Sequence, residues 1–281
     1  MTVQHVEDYF QGKDGFKLYE QCWMPEEIAG ANAVLVIVHG LAEHSGRYAH
    51  VGEFFARQGF VVGAFDHRAH GKSDGEETVL KSIDDCADDV EVFVARMRER
   101  MPGKPVFVLG HSMGGLVTTI YVLKNNPDVN GILLSGSAVK ISDDISPLLV
   151  KVSSLLAKIA PKMKTIVLDG TAVSRDPEVV KKYDADPLNY RGGIPAATAG
   201  AMNAAIQYAQ GHFADFKLPV RVMFGTADRL ADPAGSRKLY DEASSEDKTL
   251  KPYEGLYHEI FNEREQETVM AECLGWMRAR M

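Results

Sequence analysis

The chain has 281 residues, 45% of them hydrophobic and 25% charged, with a formal net charge of −8. That is ordinary globular composition, long enough for one large α/β domain or one domain with an insertion, and its acidity gives no electrostatic footprint for nucleic acid. The three cysteines (Cys22, Cys86, Cys273) are odd in number and far apart, no apolar stretch approaches the roughly 18 residues of a membrane span, and the start MTVQHVEDYF has no secretory pattern, so a soluble cytoplasmic protein with free thiols is expected.

Ala33–Val38 (AVLVIV) is continuous apolar sequence, the pattern of a strand buried on both faces. Val61–Phe65, Val106–Leu109, Ile132–Leu134 and Val220–Phe224 repeat that character, and Thr249–Tyr253 is a weaker version. Helical patterns lie between them at Tyr48–Gln58, Asp84–Arg100, Met113–Lys124 and Ala234–Ala243, with a last one from about Glu265 to Arg280. Such alternation predicts βαβ units and a mostly parallel sheet. The rhythm stops from about Ala138 to Phe216, where no strong buried strand is legible. A stretch that long reads as an inserted helical cap (138–216) on a core formed by 1–137 and 217–281.

The chemistry centres on Gly110-His111-Ser112-Met113-Gly114, a G-x-S-x-G sequence with a strand before it and a helix after it. That is the context of a nucleophile elbow, in which glycines permit a tight strained turn that lifts the serine hydroxyl clear. A serine needs a base, and the base needs an orienting carboxylate. In this kind of fold they follow in the order serine, acid, histidine. His258 comes after the last strand, in the loop that follows Thr249–Tyr253, and is the base expected. His5, His50 and His212 have no such position and read as surface residues. Asp228 follows Val220–Phe224 through Gly225-Thr226-Ala227 and is preferred as the acid over Asp232, which is further from the strand end. Oxyanion donors are expected from the N–H of Met113 and from the loop after Ala33–Val38, where Leu41 in His39-Gly40-Leu41 is the candidate. The alternative is that His39-Gly40 merely ends a strand. Asp66-His67-Arg68-Ala69-His70-Gly71 has too few ligands for a metal site and reads as a hydrogen-bonded loop. No metal or cofactor is expected.

HGLAEHSGRY (His39–Tyr48), FDHRAHGKSDG (Phe65–Gly75), GHSMGG (Gly110–Gly115), FGTADRL (Phe224–Leu230) and YHEIFNE (Tyr257–Glu263) together resemble the monoacylglycerol lipase and lysophospholipase branch of the α/β-hydrolases. The resemblance runs over almost the whole chain and implies an α/β-hydrolase fold. It also implies hydrolysis of monoglyceride esters by Ser112, Asp228 and His258, with Leu41 and Met113 as oxyanion donors. Glu43 and Arg47 match positions associated with the glycerol end of the substrate; a pair that holds the loop shape is the other reading. Lysophospholipids or simple short-chain esters are the alternative substrates, and a non-catalytic scaffold is the alternative of another class. Three features depart from the family pattern, the first two from that of its mammalian members. Phe261 stands three residues after His258 where those members have a second histidine, none of the cysteines lies between Ala138 and Phe216, and Ala69 replaces a more usual glycine.

Within the cap, Ser146-Pro147 is a helix start, and Leu148, Leu149, Val152, Leu155, Leu156 and Ile159 fall on one side of a helix that Pro161 ends. Leu149 and Leu156 are therefore candidate acyl-chain contacts, against the alternative of an ordinary helix packed on the core. From Lys140 to Lys164 there are five lysines against Asp143 and Asp144. That excess reads first as a solvated face and second as a weak peripheral membrane contact.

Overall fold

The computed structural model describes residues 2–140 and 157–281. Its frame is an eight-stranded sheet in the order β1-β2-β4-β3-β5-β6-β9-β10. The strands are β1 (Val3–Gln11), β2 (Lys17–Pro25), β3 (Ala33–Val38), β4 (Phe60–Phe65), β5 (Val106–His111), β6 (Gly131–Ser135), β9 (Val220–Gly225) and β10 (Lys248–Tyr253). From β4 to β10 every pairing is parallel; β1 with β2 and β2 with β4 are antiparallel.

The middle of the sheet is buried because both faces of each strand are apolar. Along β3, Val34, Val36 and Val38 join one core with α2 (Ile83–Arg100) and α3 (Met113–Asn125). Ala33, Leu35 and Ile37 join the core on the other face, with α1 (Ala49–Arg57) and a C-terminal helix (Gln266–Arg278). A period-two strand with no polar member has to be covered on both sides, and each fully buried aliphatic side chain contributes about 1.5–3 kcal/mol. Helix α2 begins where a side chain can cap it. Ser82 accepts from Asp84 N–H at the start of α2, and two acidic residues, Asp84 and Asp85, occupy its first turn.

Two features were not legible in the sequence. The β1–β2 hairpin, turned at Asp14-Gly15 with Gly15 at φ 77°, forms an antiparallel edge whose outer strand is mostly exposed. The 138–216 interval carries a short two-stranded sheet, β7 (Lys164–Val167) with β8 (Gly193–Pro195), besides the helices α4 (Pro177–Ala185) and α5 (Ala196–His212). The helix α5 shares its buried side with α2 and α3, since Ala201, Ala205, Ile206 and Ala209 belong to the same core. Leu149 and Leu156 lie outside the described residues. The helical residues at 157–159 do end before Pro161, and Ile159 is 72% exposed. After α5 come α6 (Pro233–Glu242) and α7, the C-terminal helix already described. Among the described residues no helix is long and apolar enough to cross a membrane.

Candidate active site

Ser112 sits between β5 and α3 at φ 53° and ψ −119°, a conformation that L-residues rarely adopt. The strain is held by hydrogen bonds on both sides of the turn. Ser112 N–H donates to Ser135 O at 2.9 Å, and Ser112 O accepts from Ala138 N at 3.0 Å. A side chain at Gly114 would meet Val38 O at 2.1 Å and one at Gly110 would meet Thr118 Oγ1 at 2.4 Å, so the elbow is pressed against the tip of β3 and its own helix. The Ser112 hydroxyl makes no capping hydrogen bond to the helix it starts.

Asp228 and His258 come from the turns after β9 and β10. These turns are bound to each other: Ala227 N–H donates to Leu256 O at 3.0 Å and Gly255 N–H to Thr226 Oγ1 at 2.8 Å. Gly225 must be glycine there, because a Cβ would lie 2.2 Å from Leu256 O. Asp228 Oδ2 is 2.8 Å from His258 Nδ1, and its Oδ1 accepts from Leu230 and Ala231 N–H. Both side chains are buried. Burial pulls the His258 imidazolium down, but the Asp228 charge and hydrogen bond, with Glu259 and Glu43 beyond, outweigh it and raise its pKa above the ordinary 6.5. The His258 ring lies 4.6 Å from that of His111, the residue before Ser112. Asp232, the rival acid, is occupied elsewhere: it caps α6 through Ala234 N–H and pairs with Lys140 Nζ at 2.5 Å.

At the tip of β3 the loop is wired from its own side chains. His39 Nδ1 donates to Gly40 O at 2.7 Å while its Nε2 accepts from His67 N–H at 2.9 Å, which fixes the neutral Nδ1–H tautomer. Burial, the neighbouring His67 and His70 keep that ring well below the usual histidine range. Glu43 Oε1 accepts from Gly40 N–H at 2.6 Å and Tyr48 OH at 2.8 Å; its Oε2 accepts from Arg47 at 2.7 Å. Among the described residues, Leu41 N–H donates to no protein acceptor, and Met113 N–H is one of the free first-turn donors of α3.

Of the two readings of Glu43 and Arg47, this geometry supports the loop-holding one. Arg47 spends its fork on Glu259 at 2.6 and 2.7 Å and stacks on the Tyr183 ring at 4.8 Å. Sequence reasoning missed Glu259 altogether. Glu43→Ala would orphan a buried N–H, a buried hydroxyl and part of a buried guanidinium, a class of change that costs about 3–5 kcal/mol. The expected result is a lower melting temperature and equal proportional losses on monoglycerides and on p-nitrophenyl esters. A loss confined to monoglycerides would return Glu43 to the glycerol-reading role.

The Asp66–Gly71 loop is a hydrogen-bonded turn. Asp66 accepts from Ser45 N–H and from Lys72 N–H, and His67 is committed to His39. His50, read as a surface residue, is half-buried instead: its Nε2 donates to Phe261 O at 2.8 Å and so tethers the segment just after His258. Position alone hid this, because the partner is over two hundred residues away in sequence.

Residues 29–265 match a family model described as serine aminopeptidase, S33. The monoacylglycerol lipase of Mycolicibacterium smegmatis is 41% identical over 96% of both chains. The human monoglyceride lipase is 31% identical over 95% of this chain and 88% of its own. The crystal structure of Paleococcus ferrophilus monoacylglycerol lipase superposes over the full length of both chains, with a TM-score of 0.82 at 29% identity. The chain belongs to the monoacylglycerol lipase family of α/β-hydrolases. It is a serine hydrolase of carboxylic esters, and the expected fold is the observed one. Two of the positions noted in the sequence as departures now have physical content. Phe261 is buried in the core beneath the C-terminal helix, so this position makes an apolar contact. Ala69 adopts φ 64°, where glycine is free of strain, and Gly75 packs directly against it.

Proposed function

We propose that this chain hydrolyses monoacylglycerols to glycerol and free fatty acid through an acyl-enzyme on Ser112. The observation that carries the reading is the buried Asp228–His258 pair, whose imidazole lies 4.6 Å, ring to ring, from that of His111, the residue before an elbow serine whose hydroxyl makes no capping bond to its helix. With Nδ1 held by Asp228, His258 presents Nε2 as the base. It takes the Ser112 proton as Oγ attacks the ester carbonyl, and the N–H groups of Leu41 and Met113 receive the developing oxyanion. The imidazolium then returns the proton to the leaving glycerol oxygen. Water repeats the sequence on the acyl-enzyme and releases the fatty acid.

The 138–216 interval is proposed as the cap over this site. Its described part bears Ile159, Met163, Ile166 and Val167 exposed beside Lys158, Lys162 and Lys164, a combination suited to brief contact with a lipid surface from which substrate is drawn. The test is a hydrolysis profile for monoglycerides, lysophospholipids and p-nitrophenyl esters of one acyl length. A kcat/KM highest for monoglycerides supports the reading; a preference for lysophospholipids at equal chain length rejects it.

A further inference from the structure

Glu259, next in sequence to His258, lies deep in the protein with a side chain 6% exposed. It is not an idle neighbour. Its N–H donates to Val173 O at 2.8 Å, and its carboxylate receives the Arg47 fork and Asn262 Nδ2 at 2.9 Å. Arg47 passes to Glu43 at 2.7 Å, and Glu43 Oε1 ends on Gly40 N–H at 2.6 Å. Gly40 in turn lies against the nucleophile, since a Cβ built on it would be 3.1 Å from Ser112 Cβ.

We infer that Glu259 is a positioning residue for ester hydrolysis: through Arg47 and Glu43 its carboxylate locks the loop bearing the base to the loop bearing the Leu41 oxyanion donor. The inference rests on the triad and oxyanion roles proposed above. The geometry at the far end explains how the lock aims a donor. Glu43 holds Gly40 N–H while the His39 ring holds Gly40 C=O. The Gly40–Leu41 peptide is trans and planar, so Leu41 N–H must point away from that carbonyl. Rotation of this peptide would break one of the two hydrogen bonds. Stability is a poor account of the cluster, because two buried carboxylates sharing one guanidinium gain little over well-packed apolar residues. What three hydrogen-bonded ions do supply is a fixed distance between loops that begin more than two hundred residues apart.

The cluster also acts on His258 through its charge. The groups facing that imidazole are Asp228, Glu259, Glu43 and the neutral ring of His111. Glu259 carries its charge firmly: burial would raise its carboxyl, but the Arg47 charge and fork hold it well below the usual range. Removing the charge therefore lowers the imidazolium pKa, which a purely structural role would not do.

The experiment compares Glu259→Gln, Glu259→Asp and Arg47→Lys with the wild-type enzyme, using one monoglyceride and a fluorophosphonate probe. Misplacing the oxyanion donor should lower kcat about tenfold to a hundredfold in Glu259→Gln with KM little changed. The acid limb of kcat/KM should move to lower pH in the same variant. Arg47→Lys keeps the charge but breaks the fork, so kcat should fall with the acid limb in place. Glu259→Asp should keep the limb and recover part of kcat. Folded variants with wild-type kcat, probe rate and acid limb would overturn the inference. If Glu259→Gln does not fold, Arg47→Lys decides by its kcat alone. Failure of the wild-type Ser112 to label would instead strike at the triad assignment, and is distinguishable because it needs no variant.

Discussion

Ser112→Ala should lose turnover by a factor on the order of 10⁶ and keep its fold. Loss of a triad serine leaves only substrate binding and the oxyanion donors, which retain a small part of the rate enhancement. Stability is expected to hold because the hydroxyl makes no capping bond to α3 and, among the described residues, is not the partner of a buried polar group. The strained backbone at φ 53° is kept in place by Ser135 and Ala138, whose bonds go to main-chain atoms and survive the substitution. The measurements are monoglyceride hydrolysis, fluorophosphonate labelling and a melting curve. Activity within tenfold of wild type, or labelling at another residue, would remove Ser112 from the centre of the mechanism.

How much of this was legible in the sequence depended on whether the signal was local. The strands β3 to β6 and β9 were readable because each is a short apolar run buried on both faces, and the elbow because strand, glycines and helix are contiguous. The β1–β2 hairpin gave no such pattern, since β1 sits at the sheet edge with most of its residues exposed. The strands β7 and β8 are too short to show a period of two. The Glu43–Arg47–Glu259 cluster was invisible for another reason: a loop glutamate looks alike whether it faces solvent or a partner 212 residues away. One signal was present and unused. Asp232 is followed by Pro233, an N-cap then a proline at the first helical position, and Asp232 does cap α6.

That contrast between the two aspartates gives the sharpest test of the acid. Asp228→Asn should cost roughly 10⁴ in turnover, the loss seen when a triad aspartate is replaced in another hydrolase. The mechanism can be read from the hydrogen bonds. Oδ1 of Asp228 accepts from two backbone N–H groups, so the asparagine oxygen must stay there and its NH₂ must face His258 Nδ1. A donor at that position forces the proton onto Nε2, the nitrogen that has to accept from Ser112. The pH profile should change as well. In the wild type the raised His258 pKa puts the acid limb of kcat/KM above about 6.5, because activity needs the neutral ring and is lost as pH falls through that pKa. Without the Asp228 charge, burial dominates and the limb should move to lower pH. Asp232→Asn should change neither turnover nor the limb. Asparagine caps a helix about as well as aspartate, and the Lys140 pair that it would lose is partly exposed and worth no more than about 1 kcal/mol. A larger loss in Asp232→Asn than in Asp228→Asn would reverse the assignment and detach the buried Asp228–His258 pair from the chemistry.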